Sequence, residues 1–248
     1  MSFLSQMVGT FTFKKESYKE IAESEDLTSR GWLLLIGSSL IAGLCISAYI
    51  LHPIFTPDID PVILISGLII PTFFCFFFGF DLAWAVVAIN KNYSVWEFFT
   101  FKEYKGLRDP DFNRAIRLMG YASLVLVFSG LVLIISPLFY QYTVPSANMF
   151  NNLLMLGFII PAGWLGPFFF PYVMFLNPLA NPLVFFFVWQ AIVFMYGYNT
   201  ISEKEAHGKN YKGLIIGFIG FNLFWIVVTI AVILATVATI FYLWAHSD

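Results

Sequence analysis

Hydrophobic and polar positions fall along this chain in long blocks, not in the short periods of a water-soluble fold. No Asp, Glu, Lys or Arg occurs between Leu118 and Ser202, and a second uncharged run extends from Gly213 to His246. Such runs are stable in lipid, where charge is the costly feature and apolar surface is free. The blocks predict an all-α polytopic membrane protein with five transmembrane helices, over about 31–52, 62–89, 118–140, 183–198 and 213–244. The second span carries Pro71, which favours a kink. The last is about 48 Å long at ~1.5 Å per residue, so one end stands clear of the hydrocarbon.

Between the third and fourth spans lies an apolar stretch with Pro161, Pro167 and Pro171 close together. Interior prolines remove backbone hydrogen bonds and clash with the preceding turn. The stretch 150–176 is therefore expected to re-enter or to lie at the interface, and a sixth span is the alternative. Charge placement separates the two. With five spans, all 13 basic residues fall in the segments 1–30, 90–117 and 199–212. The opposite side holds only Asp58, Asp60 and Asp248. A sixth span would move Lys204, Lys209 and Lys212 outside. The positive-inside rule selects five spans, a cytoplasmic N-terminus and an external C-terminus, in the cell membrane by default.

The N-terminus, MSFLSQMVGTFTFKKE, lacks a signal peptide's order of basic, apolar and small residues, so the first span is expected to persist as an anchor. Residues 1–30 form a cytoplasmic segment, and 31–248 the membrane domain. Within the first, 10–27 reads as an amphipathic helix with Phe13, Tyr18, Ile21 and Ala22 on one side. It lies at the headgroups or docks a cytoplasmic partner. Aromatics in 91–117 suit an interface belt. Cys45 and Cys75 lie roughly 10 Å apart in depth and are expected to pack without pairing.

Composition adds little chemistry: 11% of residues are charged and 20% are aromatic. Asp81 is the carboxylate inside a span, and intramembrane acids default to a functional hypothesis. It is placed to reach water, to pair with Arg30, Arg114 or Arg117, or to serve an ion site. An aspartyl protease needs a second facing acid, and no GxSG elbow or HExxH is present. Glu203 and His207 have metal-ligand spacing but sit in a polar hairpin. Nothing suggests a cofactor, a metal or nucleic acid, and the chain is expected to be no enzyme. The last span has small residues along one face, with Gly213 and Gly217 forming GxxxG. They are expected to pack inside the bundle, homo-oligomerisation being the alternative.

Three segments carry a family likeness. ESYKEIAESEDLTSRGWLLLIGSSLIAGL resembles the opening of prokaryotic Yip domain proteins. NRAIRLMGYASLVLVFSGLVLII, with Arg114, Ala115, Gly120 and Tyr121, resembles the family's third span. VFFFVWQAIVFMYGYNTISEKEAHGKNYKGLIIGFIGFNL, with Trp189 and Gly208, resembles its last two spans. The resemblance implies a five-span, non-enzymatic scaffold of trafficking or membrane-shaping type, with a small GTPase as its cytoplasmic partner. The chain departs from the eukaryotic pattern: DLYGP is missing, and Val125 stands where GYxxxP has its proline. A transporter using Asp81 and the broken 141–182 region is the alternative.

Overall fold

The computed structural model describes residues 2–51, 61–94, 97, 106–143 and 182–246. Among them the regular structure is entirely helical. Its helices are α1 (Phe3–Phe11), α2 (Lys15–Glu23), α3 (Leu27–Leu51), α4 (Pro61–Lys91), α5 (Pro110–Thr143), α6 (Pro182–Ile201) and α7 (His207–Ala245). Short 3₁₀ turns at Gly106–Arg108 and Lys204–Ala206 lead into α5 and α7. Each long helix overlaps one expected span and extends beyond it at the polar end; the last position of the first span, 52, lies outside the described residues. The segment expected to re-enter, 150–176, lies outside the described residues.

Helix directions follow from the close approaches. Gly31 of α3 meets Arg117 of α5, and Gly130 of α5 meets Cys45 of α3, so these two run the same way. Gly43 meets Thr72 and Gly79 meets Leu35, so α4 runs opposite to α3. Phe187 of α6 packs on Phe74 and Phe78 of α4, with Gln190 beside Gly79, so α6 runs with α4. Gly213 meets Val86 while Phe221 meets Phe74, so α7 opposes α4. Directions therefore alternate from α3 to α7. The chain leaves α5 and enters α6 at the same end of the bundle.

Glycine sets a close crossing of α3 and α5. A Cβ on Gly120 would lie 2.8 Å from the Gly31 Cα, and one on Gly31 would lie 2.7 Å from the Arg117 Cα. Only backbone fits there, which is how helices in lipid gain packing without water exclusion. Around this crossing sits a core of Phe74, Phe78, Phe112, Phe187, Phe194 and Phe221, with Leu35 and Met119. α4 runs unbroken through Pro71.

The N-terminus differs from the single helix expected over 10–27. Its first part belongs to the end of α1 and to a turn, and only 15–23 forms α2. Phe13 takes a left-handed backbone, φ 56°, which breaks the helix. Two rings hold it there: Trp189 at 6.1 Å and Tyr196 at 4.9 Å. Tyr18, Ile21 and Ala22 do share the buried face of α2, as their spacing requires. α1 was not legible as a separate element, because FLSQMVGTF has no charge to mark its outer face.

The surface is apolar where a soluble bundle would be polar. On α3, Leu33, Ile36, Leu40 and Leu44 face outward while Ser38 and Ser39 are buried. On α7, Ile215, Ile219, Leu223, Val227, Ile230 and Leu234 are all exposed. Among the described residues, Leu27–Ile46 and Ile69–Lys91 are long and apolar enough to cross a bilayer. Continuous apolar surface of this extent needs cover other than water.

Candidate functional site

The chemistry concentrates at one end of the bundle, where α3, α5 and α7 begin and α4 and α6 finish. Asp109 opens α5: its carboxylate accepts from the Asp111 N–H at 2.8 Å, and Pro110 follows in the first helical position. The other carboxylate oxygen accepts from the Tyr93 hydroxyl at 2.7 Å. Lys91, at the end of α4, reaches Asp111 at 2.5 Å and Asp109 at 4.0 Å, and Asp111 also binds Arg114 at 3.0 Å. The bond to Asp111 raises the Lys91 pKa. Burial, then the bond to Asp109, pushes Tyr93 up to about 12. The cluster clamps α4 to α5.

A second network is neutral. Asn90 of α4 donates to the Asn210 side-chain oxygen at 2.6 Å, and Asn210, fully buried, donates to the Asn199 side-chain oxygen of α6 at 2.7 Å. His207 contacts the Asn199 backbone oxygen at 2.9 Å. Three helices are tied together by amides that satisfy one another.

A third network holds the N-terminal hairpin. Tyr121 of α5 donates to the Gln6 side-chain oxygen at 2.6 Å, and Gln6 donates to Glu20 at 3.0 Å. Tyr18 donates to the Thr10 carbonyl at 2.6 Å, closing α1 against α2, and its ring lies over Gly197. Burial raises the Tyr18 pKa, with Tyr196 adding to it. Arg117 is 3% exposed, donates to Thr28 Oγ1 at 2.6 Å and to the Ala22 carbonyl, and its pKa is lowered by burial. α1 lies along α5, with Phe3 on Tyr121 and Phe11 on Phe128. The hairpin thus wedges between α5 and α6, its tip about 16 Å along α5 from Arg117 at ~1.5 Å per residue.

Beside this hairpin a groove of about 1120 Å³ opens between α2, α6 and α7. Its floor is Ala191, Met195 and Tyr196, with Phe78 and Leu82 behind. Leu214, Ile215 and Phe218 form one wall. Lys15 and Lys19 form the other, and Lys204 and His207 stand at its upper rim.

The residues expected to matter are not gathered at one point. Gly120 is the backbone crossing, Tyr121 binds the hairpin, and Trp189 packs under its tip. Gly213 and Gly217 seat α7 on Val86 and Ala85 of α4. The small-residue stripe is only half used in this way: a Cβ on Gly220 meets nothing within 4 Å, and Ala231, Ala235 and Ala238 are exposed. Asp81 does not pair with the arginines considered for it. Arg114 and Arg117 are engaged elsewhere, and Arg30 lies 6.0 Å from the Phe3 ring. Asp81 Oδ2 is buried without a hydrogen-bond partner among the described residues, and Asp81 does not line the groove. Both cysteines are unpaired. No group of acids, cysteines and histidines that could hold a metal occurs among the described residues.

Two features have no counterpart in the sequence pattern: the bond of Gln6 to Tyr121, and the bridge of Asn199 and Asn210 to Asn90. The pairing of Asn90 with Asn210 joins positions far apart in sequence, so no local pattern marks it. Comparison with family models, curated proteins and solved structures gives no match.

Proposed function

We propose that this chain is a five-span integral protein of the cell membrane, of Yip type, that acts as a non-enzymatic scaffold through its cytoplasmic face. The observation that carries the reading is the return of the chain to one end of the bundle between α5 and α6. That relation between α5 and α6 is what a five-span topology requires of its third and fourth spans. Every described Lys and Arg then sits at, or in the hairpin docked beside, the end where α3, α5 and α7 start. Such an asymmetry belongs on the cytoplasmic side. The cytoplasmic face so defined is a docked hairpin with an ion-paired cluster between α4 and α5, a surface suited to a partner. The family resemblance makes a small GTPase the partner class to try first.

The test is reconstitution into liposomes of fixed lipid composition. A shaping scaffold reduces vesicle diameter as the protein-to-lipid ratio rises, or retains a purified small GTPase on the cytoplasmic face. Unchanged diameter together with no retention rejects the reading. Transport is the second reading, and the unpartnered Asp81 carboxylate oxygen favours it. Solute flux that disappears in Asp81→Asn would establish transport, and absent flux in both forms removes it.

A further inference from the structure

We infer that the groove between α2, α6 and α7 is a binding site for a single anionic phospholipid. The inference rests on the membrane reading, which supplies the ligand, and on three features of the groove itself. The first is size. At about 1120 Å³ it exceeds the ~300–1,000 Å³ usual for small-molecule sites. The second is its division into two chemistries. Phe187, Val188, Ala191, Ile192, Leu214 and Phe218 offer an aliphatic and aromatic channel for a chain, with no charged group among them. Tyr196 and Asn199 continue it toward the rim with polar side chains, while the Thr200 and Ser202 hydroxyls donate to the Tyr196 and Tyr198 carbonyls and present only acceptor oxygens, suited to glycerol hydroxyls.

The third feature is charge. Lys15, Lys19 and Lys204 line the groove, and no carboxylate does. They come from two segments far apart in sequence, and none makes an ion pair among the described residues. Lys15 and Lys19 lie one turn apart, so both ammonium groups leave the same face of α2. The nearby Glu20 carboxylate is turned the other way, accepting from Gln6. By contrast Lys91 and Arg114 at the same end of the bundle are neutralised by Asp111. Lysines on the α2 wall and at the upper rim of an apolar channel between helices offer cations to an acidic headgroup whose chain fills the channel. A zwitterionic lipid fills the channel equally well but brings its own cation to the rim, so the lysines discriminate by charge.

The experiment is native mass spectrometry of the detergent-solubilised full chain, titrated with dioleoyl phosphatidylglycerol or dioleoyl phosphatidylcholine. The wild type is expected to retain one phosphatidylglycerol at least tenfold more tightly than phosphatidylcholine, since each lysine near an acidic headgroup contributes about a fivefold factor. Lys15→Ala/Lys19→Ala/Lys204→Ala is expected to bind the two lipids equally. Lys14→Ala/Lys209→Ala/Lys212→Ala removes the same charge outside the groove and is expected to keep the preference. Ala191→Trp fills the channel and is expected to lose both lipids with all lysines intact. No preference in the wild type overturns the site, as does equal loss in the two lysine triples or unimpaired binding by Ala191→Trp. Failure here leaves the five-span reading intact, because side-specific labelling of residue 205 judges that separately.

Discussion

At the scale of single residues, three positions turn geometry into measurable differences. Gly120→Ala drives a methyl into the Gly31 backbone, which cannot move without separating α3 from α5. It is expected to cost about 1–3 kcal/mol, the range for overpacking. Gly220→Ala adds a methyl where nothing lies within 4 Å and is expected to be neutral or to gain up to about 1 kcal/mol from helix propensity. Thermal unfolding in one detergent compares the two, and equal effects would contradict the assigned crossing. Asp81→Asn replaces a carboxylate whose buried oxygen has no partner among the described residues. A neutral amide costs less to bury, so the melting temperature is expected to hold or rise. A fall would reveal an ionic partner for the carboxylate. Tyr93 supplies the pH test. Its folded pKa is raised from the ordinary 10.0 to about 12, by burial and then by its bond to Asp109. A raised pKa means the stabilisation is complete below pH 10 and is lost as pH rises through about 12. Absorbance titration of the phenolates is expected to show one of the late tyrosines moving earlier in Asp109→Asn; an unchanged titration curve in that variant contradicts the bond.

At the scale of elements, the five long helices were legible because long apolar blocks without charge mark them in the sequence. Their ends were not, since the helices run on into polar residues that carry no length signal. The N-terminal hairpin was legible only in part. Tyr18, Ile21 and Ala22 follow helical spacing, but the break at Phe13 comes from rings supplied by α6, and no local residue announces it. Likewise Gly213 and Gly217 were readable as packing residues, yet only the fold shows that α4 is what they pack on. The docking of the hairpin makes its own prediction. Gly197→Leu puts a side chain where the Tyr18 ring lies, while Tyr18→Phe removes only the bond to the Thr10 carbonyl. In limited proteolysis, Gly197→Leu is expected to expose 12–26 to cleavage at least tenfold faster than the wild type. Tyr18→Phe is expected to cost about 1 kcal/mol and leave the hairpin protected. Equal protection in Gly197→Leu would mean that α2 does not depend on this seat.

At the scale of the whole molecule, an inside-out polarity and a one-ended charge distribution work together. Apolar side chains face outward along α3 and α7, and the Asn90, Asn199 and Asn210 amides pair within. The bundle is closed at one end by ion pairs and amide bridges, and the hairpin is pinned to that end through Gln6, Tyr121 and Arg117. Chemistry beyond packing was legible only as Asp81, which stands apart from the groove. The groove itself was not legible, because Lys15, Lys19 and Lys204 become neighbours only when the hairpin returns against α6. The central claim is that the linker between α6 and α7 faces the cytoplasm. Glu205→Cys tests it most directly, with a membrane-impermeant maleimide applied to intact cells and to inverted vesicles, and His246→Cys as the opposite-side reference. Position 205 is expected to react only in inverted vesicles and position 246 only in intact cells. Labelling of position 205 in intact cells would contradict it.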